Sequence, residues 1–430
     1  MGVLKKAFFH EHKQFQKLST GGQKLLLSLF LYSLINPIFQ IFINAFIWRQ
    51  TQDVILVALF NLSWMSIIPL GFYINGLLLK RYSVKRMYFL GAVIRSALVA
   101  LLIFFPAINP MQIVLFGLGY GFTSAIFFSN RNLLVLELTN SSNRIYFQSL
   151  DFISQTVSNI FVPLVIGSLI IFGTDLTLYT PQEAYYAIAI GMILFSLLMG
   201  IFVNKITIKT PDISNIVLHH GSQRWNFARG IHFLMGLLSG ITLFLPVLII
   251  LSNVGQEDSL GQIQSITAVI CSLVLYGTAR TINTRFRIQM ILMSILAMIV
   301  GSSLLAFYFN PVGIFVYFGL MTLTHQMLMV QTNSLILDVI DEENTAYDHK
   351  YKYIFDLELV LNVGRVTGIM FFACYIKLFT QDFAMQYTSL FVSIALIAII
   401  ILAKTIEENK VLQTSTHDLA ESYAHDQTHK

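Results

Sequence analysis

The chain has 430 residues, of which 56% are hydrophobic and only 11% are charged, and its formal net charge is +5. Soluble globular proteins carry about 25% charged residues, so this chain has too few charges to cover a soluble fold of its length. The composition excludes a soluble enzyme, a nucleic-acid-binding domain and a disordered chain, and it indicates a polytopic helical membrane protein with no nucleic-acid partner.

Twelve apolar segments follow one another along the chain. A helix that crosses a bilayer needs about 20 mostly apolar residues, and each segment meets that condition. We therefore predict an all-α fold of twelve transmembrane helices, called spans one to twelve. They cover residues 25–48, 54–79, 87–106, 110–136, 146–172, 184–204, 230–252, 261–280, 288–308, 311–337, 353–376 and 383–403.

The polar segments divide these spans into two groups of six. A basic N-terminal arm covers residues 1–24, a polar linker covers 205–229, and a polar tail covers 406–430. The linker predicts one six-helix bundle over residues 25–204 and a second over 230–405. The arm is polar rather than a short apolar core, so we expect no cleaved signal peptide.

Lys and Arg are distributed unevenly between the connecting segments. With the N-terminus in the cytoplasm, 22 of the 27 lie on the cytoplasmic side, two lie opposite, and three lie within spans. This bias predicts that both termini are cytoplasmic. We expect an integral multi-pass protein of a bacterial plasma (inner) membrane, in contact with membrane lipids.

The two halves align without gaps at an offset of 201 residues. Because six spans separate the copies, both have the same orientation, which predicts a pseudo-two-fold axis along the membrane normal. The matched pairs are Gly76 and Gly277, Arg86 and Arg287, Asn109-Pro110 and Asn310-Pro311, Asn132 and Asn333, Leu134 and Leu335, Leu136 and Leu337, and Glu137 and Asp338.

One local motif lies between spans two and three. It runs Gly76-Leu-Leu-Leu-Lys80-Arg81-Tyr82-Ser83-Val84-Lys85-Arg86. With the twelve spans, the repeat and the linker, the chain over roughly residues 25–405 resembles the major facilitator superfamily, whose motif is Gly-x-x-x-Asp-Arg/Lys-x-Gly-Arg/Lys-Arg/Lys. Here Lys80 replaces the acidic residue that helps to latch the cytoplasmic gate, and Ser83 replaces the second glycine.

The resemblance implies a secondary transporter in which two bundles rock about a central site. Spans one, two, four and five would face spans seven, eight, ten and eleven. It also implies a gate at the cytoplasmic ends of the spans, formed by Gly76, Arg81, Lys85, Arg86, Glu137 and Asp338. The antiporter motif of the family is represented on span five only by Pro163 and Gly167, with Val162 in the place of a glycine.

Polar residues recur at helical spacing on the spans that would face the centre. We predict that they bind the substrate, although Asn, Gln, Ser and His also join helices within membranes. The predicted substrate-binding residues are Asn36, Gln40, Asn44, Ser124, Arg131, Gln155, Asn159, His325, Gln326, Asn362 and Arg365.

Two carboxylates are candidates for proton coupling. Glu358 precedes Arg365 by two helical turns, and Asp151 follows Arg131 on the next span. A carboxylate that gains and loses an arginine partner can bind and release a proton in each cycle. The alternative is that both are structural ion pairs, in which case His325, His232 or another ion would couple transport.

The function predicted from these residues is proton-coupled transport of a small polar or anionic organic solute by a monomer. Efflux of amphipathic compounds and a lipid or glycolipid flippase are the alternatives, and a receptor derived from a transporter is a further one. An enzyme is disfavoured because no nucleophile, metal-ligand spacing or nucleotide-binding motif stands out, and we expect no cofactor and no metal.

Overall fold

The structure, a computed structural model, describes residues 15–16, 18–104, 109–139, 144–208, 216–217, 221–255, 260–263, 265–270, 286–342 and 350–408. Within these ranges the chain is helical and contains no strand. Ten described helices are long and apolar enough to cross a membrane. They are Val54–Leu78, Val84–Phe104, Pro110–Val135, Ile153–Gly173, Pro181–Asn204, Gln223–Asn253, Arg287–Phe307, Pro311–Ile340, Phe355–Leu378 and Gln381–Glu408.

Spans one and eight complete the twelve. Span one consists of an α-helix over Thr20–Pro37, a π-helical turn over Ile38–Phe42 and an α-helix over Ile43–Thr51. Pro37 has no N–H to donate, and the wider turn that follows it accommodates the lost hydrogen bond. Span eight is described over 260–263 and 265–270. The predicted all-α fold of twelve membrane helices is confirmed.

Capping side chains set where several spans begin. Asn109 accepts from the backbone N–H of Gln112 at 2.8 Å, and the Gln112 side chain accepts from the Asn109 N–H at 3.0 Å. Such a reciprocal box satisfies two N–H groups that the helix leaves free. Ser222 caps span seven in a similar way, so this helix begins at Gln223, seven residues before the predicted start at residue 230.

Glycines bring spans two and four together in the N-terminal half. A Cβ added at Gly121 would lie 2.1 Å from the backbone oxygen of Trp64, and one added at Gly117 would lie 2.8 Å from that of Phe60. The two backbones are therefore in contact, as small residues permit in membrane helices. Gly117 and Gly121 are therefore positions of close helix packing.

The halves touch on both sides of the bundle. We call the side where span one begins the near side, and the opposite one the far side. On the near side, span two packs against span eleven, with the rings of Tyr73 and Phe355 6.5 Å apart. On the far side, a Cβ at Gly261 of span eight would lie 2.4 Å from the oxygen of Pro163 on span five.

A second far-side contact joins spans one and seven. Span seven is interrupted at Leu243 and Phe244, before Pro246. The side-chain amide of Asn44 donates to the Leu243 oxygen at 3.4 Å. The break in span seven thus lies against the far-side part of span one, beside its π-helical turn.

Candidate functional site

A central cavity of about 700 Å³ lies between the two halves. Its lining comes from spans one, two, four, five, seven, eight, ten and eleven, and no described residue of spans three, six, nine or twelve lines it. These are the eight spans that the resemblance placed at the centre. The volume lies in the range of sites that enclose a small organic molecule.

Part of the cavity wall is apolar. Span two contributes Trp64, Met65 and Phe72, and span four contributes Phe128. Span ten adds Phe318, Met321 and Met329 on the other half. Sequence reasoning did not identify these residues, because apolar side chains that face a cavity have the same hydropathy as those that face lipid.

An ion pair stands on the wall of the N-terminal half. Arg131 of span four lines the cavity, and its Nη2 donates to Asp151 Oδ2 on span five. The side chain of Asp151 is 10% exposed and that of Arg131 is 21% exposed. Asp151 itself does not line the cavity but holds the guanidinium that does. The sequence allowed this pairing between spans four and five.

A second pair stands on the C-terminal half, along one face of span eleven. Arg365 Nη1 donates to Glu358 Oε1 at 2.9 Å and to Asn362 Oδ1 at 3.2 Å. The Asn362 amide also donates to Glu358 Oε1 at 2.9 Å. Glu358 and Arg365 line the cavity, whereas Asn362 is buried between them. The carboxylate is therefore held by two donors from its own helix.

Span eleven packs closely against span seven beside these residues. A Cβ at Gly240 would lie 2.3 Å from the Arg365 oxygen, and a Cβ at Gly364 would lie 2.1 Å from the Phe233 oxygen. Glycines four residues apart on both helices, Gly236 with Gly240 and Gly364 with Gly368, let the backbones touch. This spacing was readable in the sequence and was not recognised there.

The near-side ends of the same two spans are joined by a carboxylate. Arg229 donates to both oxygens of Asp356 at 2.6 Å, and Trp225 Nε1 donates to Asp356 Oδ2 at 2.9 Å. A carboxylate bound by both ends of a guanidinium has a fixed geometry. Asp356 is thus engaged away from the cavity, which it does not line.

Further polar groups complete the lining. Gln155 and Asn159 come from span five, and His325 and Gln326 come from span ten. His325 Nε2 is buried without a hydrogen-bond partner, as is Trp64 Nε1. Sequence reasoning did not select Asn132 and Thr156, which also reach the cavity. The described residues contain no group of three or more His, Cys, Asp or Glu placed to hold a metal ion.

Several predicted binding residues lie elsewhere. Asn36 accepts a hydrogen bond from the Tyr32 hydroxyl at 2.8 Å. Asn44 accepts one from the Asn61 amide at 2.8 Å, in addition to its contact with span seven. Ser124 is buried and does not line the cavity. The Gln40 side chain lies outside the part of the chain that is described. Of these residues, Asn44 joins span one to spans two and seven, as polar groups do between membrane helices.

The predicted gate residues cluster at the near-side ends of the spans. Lys85 donates to the Ile206 oxygen at 2.6 Å, and Arg81 and Arg86 are exposed. Asp338 accepts from Arg287 at 2.9 Å, and Arg287 also binds Glu407 at 3.0 Å. The Lys85 and Asp338 contacts stay within one half.

The remaining gate residues are Gly76 and Glu137. Gly76 is buried near the end of span two, and Glu137 is half-buried at the end of span four. The gate role of the whole set stays a prediction.

Comparison with known families gives a match over most of the chain. Residues 25–348 match the model of the Major Facilitator Superfamily. The uncharacterized protein YqgE of Bacillus subtilis (strain 168) is 25% identical over 360 residues, which is 82% of each chain.

Solved transporter structures share the fold. A proton-dependent oligopeptide transporter superimposes with a TM-score of 0.64 at 12% identity, over 92% of this chain and 99% of its own. A bacterial homologue of the human lysosomal transporter Spinster, in an inward-facing conformation, gives a TM-score of 0.59 at 12% identity, over 90% and 98% of the two chains. At this identity the likeness concerns the fold.

Proposed function

Because this chain belongs to the major facilitator superfamily, a family of membrane transporters, we propose that it is a secondary active transporter of a small polar or anionic organic solute. The observation that carries the proposal is the central cavity between the halves, with an arginine on each side. Arginine binds carboxylate and phosphate groups through two donors at once. Arg131 and Arg365 both line the cavity, so a solute bound there would lie beside two guanidinium groups.

Alternating access is the proposed route. The solute would reach the cavity from one side while contacts on the other side stay closed. On the far side, the contacts between spans one and seven and between spans five and eight would have to separate. On the near side, spans two and eleven would separate at Tyr73 and Phe355.

Proton coupling is proposed to involve Glu358, with Asp151 as its counterpart in the other half. A proton on Glu358 would remove the charge that holds Arg365, and the guanidinium would then be free to bind an anion. His232 of span seven lies within electrostatic reach of both Glu358 and Arg365. It offers a second titratable group beside the pair.

Efflux of amphipathic compounds is the second candidate. The apolar wall formed by Trp64, Met65, Phe128 and the methionines of span ten favours it. Methionine and aromatic side chains adapt to varied apolar solutes. The two candidates differ in the size of the apolar part of the solute.

The proposed location is a bacterial plasma (inner) membrane, with both termini in the cytoplasm, where a monomer exchanges solute and protons. The excess of Lys and Arg on the near side supports this orientation. Labelling of single cysteines in the arm and the tail with a membrane-impermeant reagent tests it. Modification in intact cells would contradict the proposed orientation.

Reconstitution in liposomes tests the transport function. Purified protein is sealed in vesicles that contain a pH-sensitive dye, and amino acids, dicarboxylates, nucleosides and amphipathic cations are added in turn. We expect one class to cause proton movement in vesicles with protein and none in empty vesicles. If no class moves protons or exchanges across the membrane, the transport proposal fails.

A further inference from the structure

Arg95 of span three is a buried arginine surrounded by aromatic rings. Its side chain points into the N-terminal half and is 1% exposed. The guanidinium carbon lies 4.0–5.7 Å from five ring centroids, with Phe39 the nearest. We call these rings the aromatic cage, which consists of Tyr32, Phe39, Tyr120, Phe127 and Phe128.

No carboxylate in the described part of the chain neutralises the charge of Arg95. Among the described residues it forms no ion pair, and its Nε has no hydrogen-bond partner. The faces of the cage rings lower the cost of burying the cation, but aromatic rings carry no net charge. Because a guanidinium does not lose its proton in proteins, the cage holds a permanent positive charge.

The cage shares one ring with the wall of the central cavity. Phe128 belongs to both, since it lies 5.5 Å from the Arg95 guanidinium and lines the cavity. Tyr120 packs edge-on against Trp64, another lining residue, with centroids 4.9 Å apart. The caged charge is therefore about one aromatic ring behind the cavity surface.

The two described ion pairs at the cavity carry no net charge. Arg131 is paired with Asp151, and Arg365 is paired with Glu358. The uncompensated charge of Arg95 gives the apolar wall of the cavity a positive potential, and a low-dielectric protein screens it weakly. An anion with an apolar body could place its body on that wall and still be attracted.

We propose that Arg95 is a specificity-determining residue, a fixed cation that makes the central cavity select amphipathic organic anions. The proposal rests on the proposed transport function, because selection among solutes presupposes that the protein transports one. The potential itself can be measured without a substrate, so failure of one proposal is distinguishable from failure of the other.

A cysteine in the cavity measures this potential. Thr156 lines the cavity, so Thr156→Cys is introduced in the full chain with Cys271→Ser and Cys374→Ser. Modification rates are compared for two methanethiosulfonates of similar size, the anionic sulfonatoethyl and the cationic trimethylammonioethyl reagent. The ratio of the two rates, relative to that of free 2-mercaptoethanol, reports the sign of the local potential and is insensitive to general access.

We expect the ratio to favour the anionic reagent in the parent protein. Arg95→Met should lower it by roughly tenfold, the order of magnitude expected when one nearby, partly screened charge is removed. Lys404→Met, an exposed charge on span twelve, is the matched control and should leave the ratio unchanged.

Two results would overturn the proposal. One is an unchanged ratio in folded Arg95→Met, which would mean that the caged charge does not act on the cavity. The other is a parent protein that prefers the cationic reagent, and this outcome is measurable even if Arg95→Met does not fold.

Discussion

Within span eleven, Asn362 donates to Glu358 and accepts from Arg365. The carboxylate, the amide and the guanidinium recur at intervals of four and three residues, which places them on one helix face. A proton added to Glu358 would change which N–H groups of Arg365 and Asn362 remain available to a solute. The chemistry of the site thus depends on single hydrogen bonds.

Glu358→Gln should uncouple transport from protons. The amide oxygen can still accept from Arg365, but the side chain no longer gains or loses a proton. We expect exchange of labelled solute across the liposome membrane to persist, while accumulation driven by a pH gradient is lost. Asp382→Asn, an exposed carboxylate at the start of span twelve, should keep both activities.

Asp151→Asn should have the same effect if the pair on the N-terminal half also titrates. Full pH-driven accumulation in both Glu358→Gln and Asp151→Asn would mean that these carboxylates are structural. His325, which lines the cavity with an unpartnered Nε2, would then be the better candidate.

Removing one partner of the Arg131–Asp151 pair should destabilise the fold more than removing both. Arg131→Met leaves a buried carboxylate without its partner, which costs about 3 kcal/mol. In Arg131→Met with Asp151→Leu no charge remains, so we expect the double variant to be more stable than the single one. Thermal unfolding in detergent measures the order, and a double variant less stable than Arg131→Met would contradict it.

At the scale of helices, backbone contacts set the position of the site. Spans seven and eleven meet through glycines on both sides, so the carbonyls of one helix lie against the Cα atoms of the other. Close Cα–H to oxygen contacts of this kind recur at helix interfaces. This seam and the bond of Arg229 with Asp356 fix span eleven, and with it Glu358 and Arg365.

Gly364→Ala should therefore be poorly tolerated. The added Cβ would lie 2.1 Å from the Phe233 oxygen, a distance that requires the two helices to separate. We expect a marked loss of folded protein after extraction, measured by size-exclusion chromatography. Gly319→Ala is the matched control, since nothing lies within 4 Å of its Cβ position. There alanine should be neutral or stabilising by up to about 1 kcal/mol. Equal yields of the two variants would contradict the role of the seam.

At the scale of the whole molecule, the two halves meet through few specific contacts on the far side. Pro163 and Gly167, the two matches to the antiporter motif, lie beside Gly261 of span eight. Ser265 on the same helix donates to the Ile160 oxygen. A closed far side therefore depends on how closely spans five and eight approach each other.

Gly261→Leu should shift the protein toward a state that is open on the far side. Its side chain cannot fit against the Pro163 oxygen while spans five and eight remain in contact. We expect faster modification of a Thr156→Cys reporter by an impermeant thiol reagent applied from the far side. Gly191→Ala on span six, where the Cβ position is open, should not change the rate. An unchanged rate in Gly261→Leu would argue against this contact as the far-side closure.

The sequence by itself determined the number and course of the helices and the family. The bilayer requires about 20 apolar residues of each span separately. Each span could therefore be recognised from its own residues, and the spans could be counted along the chain. The offset of 201 residues and the motif that begins at Gly76 added the relation between the halves. Polar residues inside spans were recognisable because each is costly in lipid and needs a partner.

Only the tertiary structure decided which of these polar residues face the cavity. Asn44 and Asn159 are the same residue type on spans that both face the centre, yet one binds neighbouring helices and the other lines the cavity. Helical periodicity assigns a residue to a face, but it does not say what stands opposite that face. For the same reason Trp64 looked like any apolar residue, although it lines the cavity. Nothing local to Arg95 indicated the aromatic cage, because its rings come from spans one and four.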